Sequence, residues 1–177
     1  MPIHSATRPA PGEYTPYFGT YIDKVPDGDV ITVLERGIGT TGKLLGSVSE
    51  ERGGYRYAEG KWSLKEVLGH MSDTERIFGY RMLTFARGDA GPLPGFDENT
   101  YTPAQESDRV PLALLVDEFV AVRAATLALL KVLPPAAWER QGVASGNALS
   151  ARAAAWIIAG HEIHHRRVIE ERYLGAP

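Results

Sequence analysis

His161 and His165 lie four residues apart in a strongly apolar stretch near the end of the chain. On a helix that spacing puts both imidazoles on one face, one turn apart. Two neutral imidazoles aimed at one point chelate a transition metal. The segment His161-Glu162-Ile163-His164-His165 also reads H-E-x-x-H, the two-ligand signature of zinc peptidases. A metal held this way needs a third protein ligand. Downstream of His165 the sequence offers only Glu170 and Glu171 as acidic candidates. Upstream, His70 sits inside a second apolar helical pattern. His70, His161 and His165 would make a three-His centre built from two helices. Three neutral ligands leave an open position and a +2 charge, which makes a coordinated water or thiol more acidic. A purely structural site more often carries four protein ligands.

The same histidines have a plainer reading. Burying two adjacent imidazoles is costly unless each nitrogen finds a partner, and buried carboxylates or backbone groups could serve. His164 could stand in for His165, but His165 better continues the line of Ile158, His161 and Ile169. Asp73, close after His70, and Glu162 are the candidate catalytic carboxylates. Either could orient a ligand imidazole by accepting its second N–H. Glu162 could also act as general base, although adjacency to His161 turns it about 100° around the helix. The alternative for both is a solvated face, with Asp73 paired to Arg76. His4, in the Pro-rich start, reads as solvated.

Four amphipathic segments must position these groups. The first runs from about residue 29 to 49 and is weakened by Gly37, Gly39, Gly42 and Gly46, each costing ~1 kcal/mol against alanine. A short helical turn around residues 16–23 precedes it. The second helix opens on the capping box Ser63-Leu64-Lys65-Glu66 and runs to about Arg87. A long irregular stretch, 91–109, follows; its length and its Phe96 and Tyr101 argue for a packed, functional loop. Phe96, Tyr101 and Tyr80 are candidates for a pocket wall. The third helix spans about 111–132, and Pro134-Pro135 ends it. Ser150 caps the fourth, which runs to about Tyr173. Strand signals are weak and no clean hairpin is visible. The expected fold is therefore all-α, a four-helix bundle.

A chain of 177 residues suits one domain, 1–177, with residues 1–15 as an irregular lead-in. A net charge of −3 argues against a general nucleic-acid binder, which needs a basic surface. The absence of cysteine excludes disulfides and thiolate ligands, so any metal must use nitrogen or oxygen. No apolar run approaches the ~18 residues of a membrane span, and the start lacks a signal core. A cytoplasmic protein without a membrane partner is the default expectation.

Three separated motifs carry a family resemblance. They are Trp62-Ser63-Leu64-Lys65-Glu66-Val67-Leu68-Gly69-His70 with Asp73-Thr74-Glu75-Arg76, then Pro92-Leu93-Pro94-Gly95-Phe96-Asp97-Glu98, then Ala159-Gly160-His161-Glu162-Ile163-His164-His165. In this order they resemble the DinB-like family, in the YfiT-type branch of metal-dependent hydrolases and bacillithiol transferases. The resemblance implies an up-down-down-up bundle, whose parallel second and third helices need a long crossover. It implies a divalent metal, zinc or nickel, on His70, His161 and His165. It also implies a homodimer acting on a small-molecule thiol or electrophile, as a thiol S-transferase or a hydrolase. A non-catalytic bundle that binds a metal or ligand under stress is the alternative.

Overall fold

The computed structural model describes residues 7–175, so His4 lies outside the described residues. Asp29 accepts hydrogen bonds from the Ile31 and Thr32 amides and starts α2, Val30–Gly46; a short α1, Pro16–Ile22, precedes it. The brief α3, Glu50–Gly53, leads into the long α4, Leu64–Ala86. Its capping box is complete: the Ser63 hydroxyl accepts from the Glu66 amide at 3.0 Å, and the Ser63 amide donates to the Glu66 carboxylate at 2.8 Å. Asp97 caps α5, Glu98–Ala104, and α6 follows as Leu112–Lys131. Ser150 accepts from the Ala153 amide and starts α7, Ala151–Val168, which runs on into a π turn, Ile169–Tyr173.

The four long helices lie where the apolar periodicity puts them. Two features differ from expectation. The loop after α4 contains α5 and a 3-10 turn at Ser107–Arg109. The segment before α7 is an antiparallel hairpin, β1 Gln141–Ala144 with β2 Asn147–Ser150. Its turn residues Ser145 and Gly146 both have positive φ, 53° and 75°, the conformation of a tight type I′ hairpin turn. Leu93 pins the long loop to this hairpin: its amide donates to the Val143 carbonyl at 2.8 Å, and its carbonyl accepts from the Ser145 amide at 3.1 Å.

α4 packs against α6 and α7, and α2 packs against the same two helices. Burying each Leu, Ile or Phe of this interior contributes roughly 1.5–3 kcal/mol. One apolar cluster gathers Leu45 near the end of α2, Leu64 and Leu112 at the starts of α4 and α6, and Ile169 after α7. The other holds Leu34, Phe78, Phe85, Leu130 and Trp156. Two glycines permit close approaches. A Cβ at Gly160 would collide with the Tyr21 carbonyl, so glycine lets α1 lie directly on α7. A Cβ at Gly37 would collide with the Glu162 carboxylate. Among the described residues, no helix is long and apolar enough to cross a membrane.

Candidate metal centre

α4 delivers His70 and α7 delivers His161 and His165 to one point. The Nε2 atoms of His70 and His161 are 3.0 Å apart, and those of His165 and His161 are 3.1 Å apart. Nitrogens on a tetrahedral zinc, with bonds of 2.0–2.1 Å, stand about 3.3 Å from one another. Both of these spacings are therefore close to what a metal requires, and the three ligand nitrogens all lie within 4.8 Å of one another. Two of them are deeply buried, with His70 7% and His161 6% exposed. Burial pushes the His70 imidazole down to about 4. Burial and then the neighbouring imidazoles hold His161 and His165 well below the usual histidine range. All three rings are thus neutral near pH 7, the form that ligates. Neutral nitrogen donors of this kind suit zinc and nickel alike.

Neighbouring aromatics fix the rings. Trp62 packs on His70 with centroids 4.9 Å apart, and the Tyr173 hydroxyl donates to the Trp62 carbonyl at 2.7 Å. The π turn at the end of α7 thereby braces the wall opposite its own histidines. Tyr21 from α1 sits edge-on to His161 at 5.3 Å and to His164 at 5.5 Å. Burial raises the Tyr21 phenol, so it keeps its proton. His164 points to this aromatic contact and is outside the three-nitrogen cluster.

The histidines open onto a cavity of about 310 Å³, within the size range of small-molecule sites. Phe96 lines it, as expected. Tyr101 contacts Phe96 edge-on at 5.5 Å but is not on the wall, and Tyr80 points outward at 58% exposure. Neither sequence-selected carboxylate reaches the cavity. Glu162 accepts from the Thr41 hydroxyl at 2.6 Å and from the Arg123 guanidinium at 2.5 Å, on the far side of α7. Asp73 accepts from the Gln105 side-chain amide and lies 3.6 Å from Arg76, the pairing foreseen as its alternative. Among the described residues, His165 Nδ1 is buried without a hydrogen-bond partner, and no carboxylate orients that ring. The acid on the cavity wall is Glu98, at the start of α5.

The wall also carries residues that sequence reasoning passed over. Arg81, Thr74 and Ser145 all line the cavity. Arg81 and Thr74 lie eleven and four residues after His70, and helical spacing places all three on one face of α4. That periodicity was the available signal. Ser145 had none, because it depends on the hairpin turn.

Four long packed helices, two of which bring three imidazoles to the wall of a cavity, define a helical bundle with a candidate metal centre. The chain belongs to the DinB superfamily, whose profile matches residues 34–169. Among solved structures it is similar to YfiT from Bacillus subtilis, described as a probable metal-dependent hydrolase with an unusual four-helix bundle topology. That likeness has a TM-score of 0.73 at 17% identity and covers 80% of this chain and 82% of that one. It is also similar to a mycothiol-dependent maleylpyruvate isomerase, with a TM-score of 0.66 at 15% identity, over 83% of this chain and 61% of that one. At such identities the likeness establishes the fold alone. No curated protein matches the sequence.

Proposed function

We propose that this protein is a metal-dependent enzyme that transfers a small thiol, or water, to a small electrophile. The observation that carries the reading is the convergence of three neutral Nε2 atoms, 3.0 and 3.1 Å apart, at the floor of a cavity. Zinc or nickel held there would lower the pKa of a coordinated thiol or water and hold it for attack. The chain's own residues do the rest. His70, His161 and His165 fix the position of the nucleophile, while Trp62 and Tyr21 keep the rings from turning. Glu98 accepts the proton that the thiol or water releases. The sulfur or oxygen then bonds to the electrophilic carbon, and the leaving group departs with its electron pair. Phe78 and Phe96 keep the cavity wall apolar and limit competing water.

The same reading includes a single domain with up-down-down-up helices and a crossover between α4 and α6. Support comes from the shared apolar cluster: α2 ends in it, α4 and α6 both start in it, and α7 runs into it. It also includes a homodimer acting in the cytoplasm, with no nucleic-acid or membrane partner. Peptidase chemistry is disfavoured, because Arg123 and Thr41 hold the H-E-x-x-H glutamate away from the cavity.

The test is a turnover assay. Zinc- or nickel-loaded protein is mixed with a panel of small thiols and either an aryl chloride or an epoxide, and thiol loss is followed. Thiol consumption above background, abolished by chelation and in His161→Ala without loss of helical circular dichroism, is the expected result. Binding of thiols with no turnover across the panel, together with no metal-dependent hydrolysis of either electrophile when thiol is left out, would overturn the enzymatic reading and leave a sequestering or sensing bundle.

A further inference from the structure

Two arginines are buried in this bundle under opposite circumstances. Arg123, 0% exposed, is paired with Glu75 and Glu162. Arg81 is only 4% exposed, yet no carboxylate among the described residues lies within ion-pairing distance of it, and burial alone accounts for its lowered pKa. Its Nη2 donates to the Pro94 carbonyl and to the Ser145 hydroxyl, each at 3.0 Å, and its Cζ lies 4.9 Å from the centre of the Phe78 ring. These contacts hold the guanidinium in place without neutralising it. A buried charge without a counter-ion is costly, and the fold retains this one on the wall of the cavity that holds the three histidines.

Its position has a direction. His70, Thr74, Phe78 and Arg81 form one face of α4, and all four line the cavity. Eleven residues of helix rise about 16 Å, and long side chains lean back toward the helix start, leaving roughly 10 Å between the guanidinium and the imidazoles. Between them the Thr74 hydroxyl is buried with no hydrogen-bond partner among the described residues. Glu98 on the same wall disfavours a multiply charged anion. A lone guanidinium fork in a cavity whose wall also carries one acid suits a monoanion, and it matches the planar geometry of a carboxylate.

We infer that Arg81 is a carboxylate-binding residue, and that the cavity takes an elongated small molecule with its carboxylate on Arg81 and its reacting group at the three-histidine end. The reacting end rests on the proposed function; the carboxylate end does not. The substrates are then thiols or electrophiles that carry an acid some 10 Å from the reacting atom, a distance set by the helical rise between His70 and Arg81. A polar atom part-way along would satisfy Thr74.

The experiment is calorimetric titration of the zinc-loaded full chain with ω-mercaptohexanoate and, separately, with ω-mercaptohexanol. The acid should bind about tenfold tighter or more, the usual worth of a charge-assisted hydrogen bond expressed as affinity. Arg81→Gln should erase that preference while zinc content stays at the wild-type level, and Arg81→Lys should retain part of it. Equal binding of acid and alcohol by the wild-type protein overturns the inference whether or not the variants fold. If no zinc binds, the proposed function fails, and hexanoate against hexanol on the same sample still decides the Arg81 site.

Discussion

Burial decides the chemistry of His70, His161 and His165. Each is held neutral by its surroundings, so the site is ready to ligate at neutral pH but vulnerable to acid. The sign follows from linkage. The unfolded chain takes up a proton at His70 near pH 6.5, whereas the folded chain resists until about 4. Above the unfolded value His70 is neutral in both states and its contribution to stability is fully present. As pH falls through this window the unfolded state binds the extra proton, and stability drops until the folded ring also titrates. His161 and His165 act in the same direction. Metal-free protein should therefore melt at lower temperature at about pH 5 than at about pH 7.5. Equal melting temperatures would contradict the burial of these rings. At this scale the sequence was readable where spacing repeats. The i, i+4 pair on an apolar stripe pointed to His161 and His165. Arg81 shares the His70 face by spacing, but a single arginine near the end of an amphipathic helix also looks like a surface residue, so that signal did not single it out.

Arg123 joins all four long helices. Its guanidinium, on α6, donates to Glu75 of α4 at 2.8 Å, to Glu162 of α7 at 2.5 Å, and to the Leu34 carbonyl of α2 at 3.3 Å. Thr41 of α2 completes the set through Glu162. Burial opposes the charge on Arg123, but the two carboxylates outweigh it and raise its pKa. Removing one partner of such a group leaves buried charge uncompensated, at a cost of about 3–5 kcal/mol. Arg123→Met should lower unfolding stability by that amount in denaturant titrations, and a loss within experimental error would show that the node is dispensable. Its signal in the sequence was a lone charge on the apolar line Leu115, Phe119, Arg123, Leu127. Of the α2 glycines that weakened the helix signal, Gly37 makes sense through the same node, since it clears space for Glu162. The hairpin was hidden for a different reason. Gln141-Gly142-Val143-Ala144 and Asn147-Ala148-Leu149-Ser150 have almost no β-branched residues, and only the Ser145-Gly146 turn marked it. Gly142 is required there by packing, because a Cβ would collide with the Phe85 ring.

At the scale of the molecule, α4 and α7 supply the three converging imidazoles, and shorter elements shape the space above them. α1 closes one side with Tyr17, Phe18 and Tyr21, and the segment between α4 and α6 closes another with Phe96 and Glu98. The hairpin anchors that segment and presents Ser145 to Arg81. Periodicity alone revealed the helices, because the bundle core imposes it. The cavity walls come from short elements whose placement depends on tertiary contacts, so they left little trace in the pattern. The candidate metal centre spans two helices that are distant in sequence, and this makes it open to a direct test. Elemental analysis of untagged protein, purified without chelator, should find about one zinc or nickel ion per chain, the stoichiometry of a single three-ligand site. The His70→Ala variant should lose that metal while remaining folded. Undiminished metal in His70→Ala, or none in the wild-type protein even after reconstitution, would contradict a centre shared between α4 and α7.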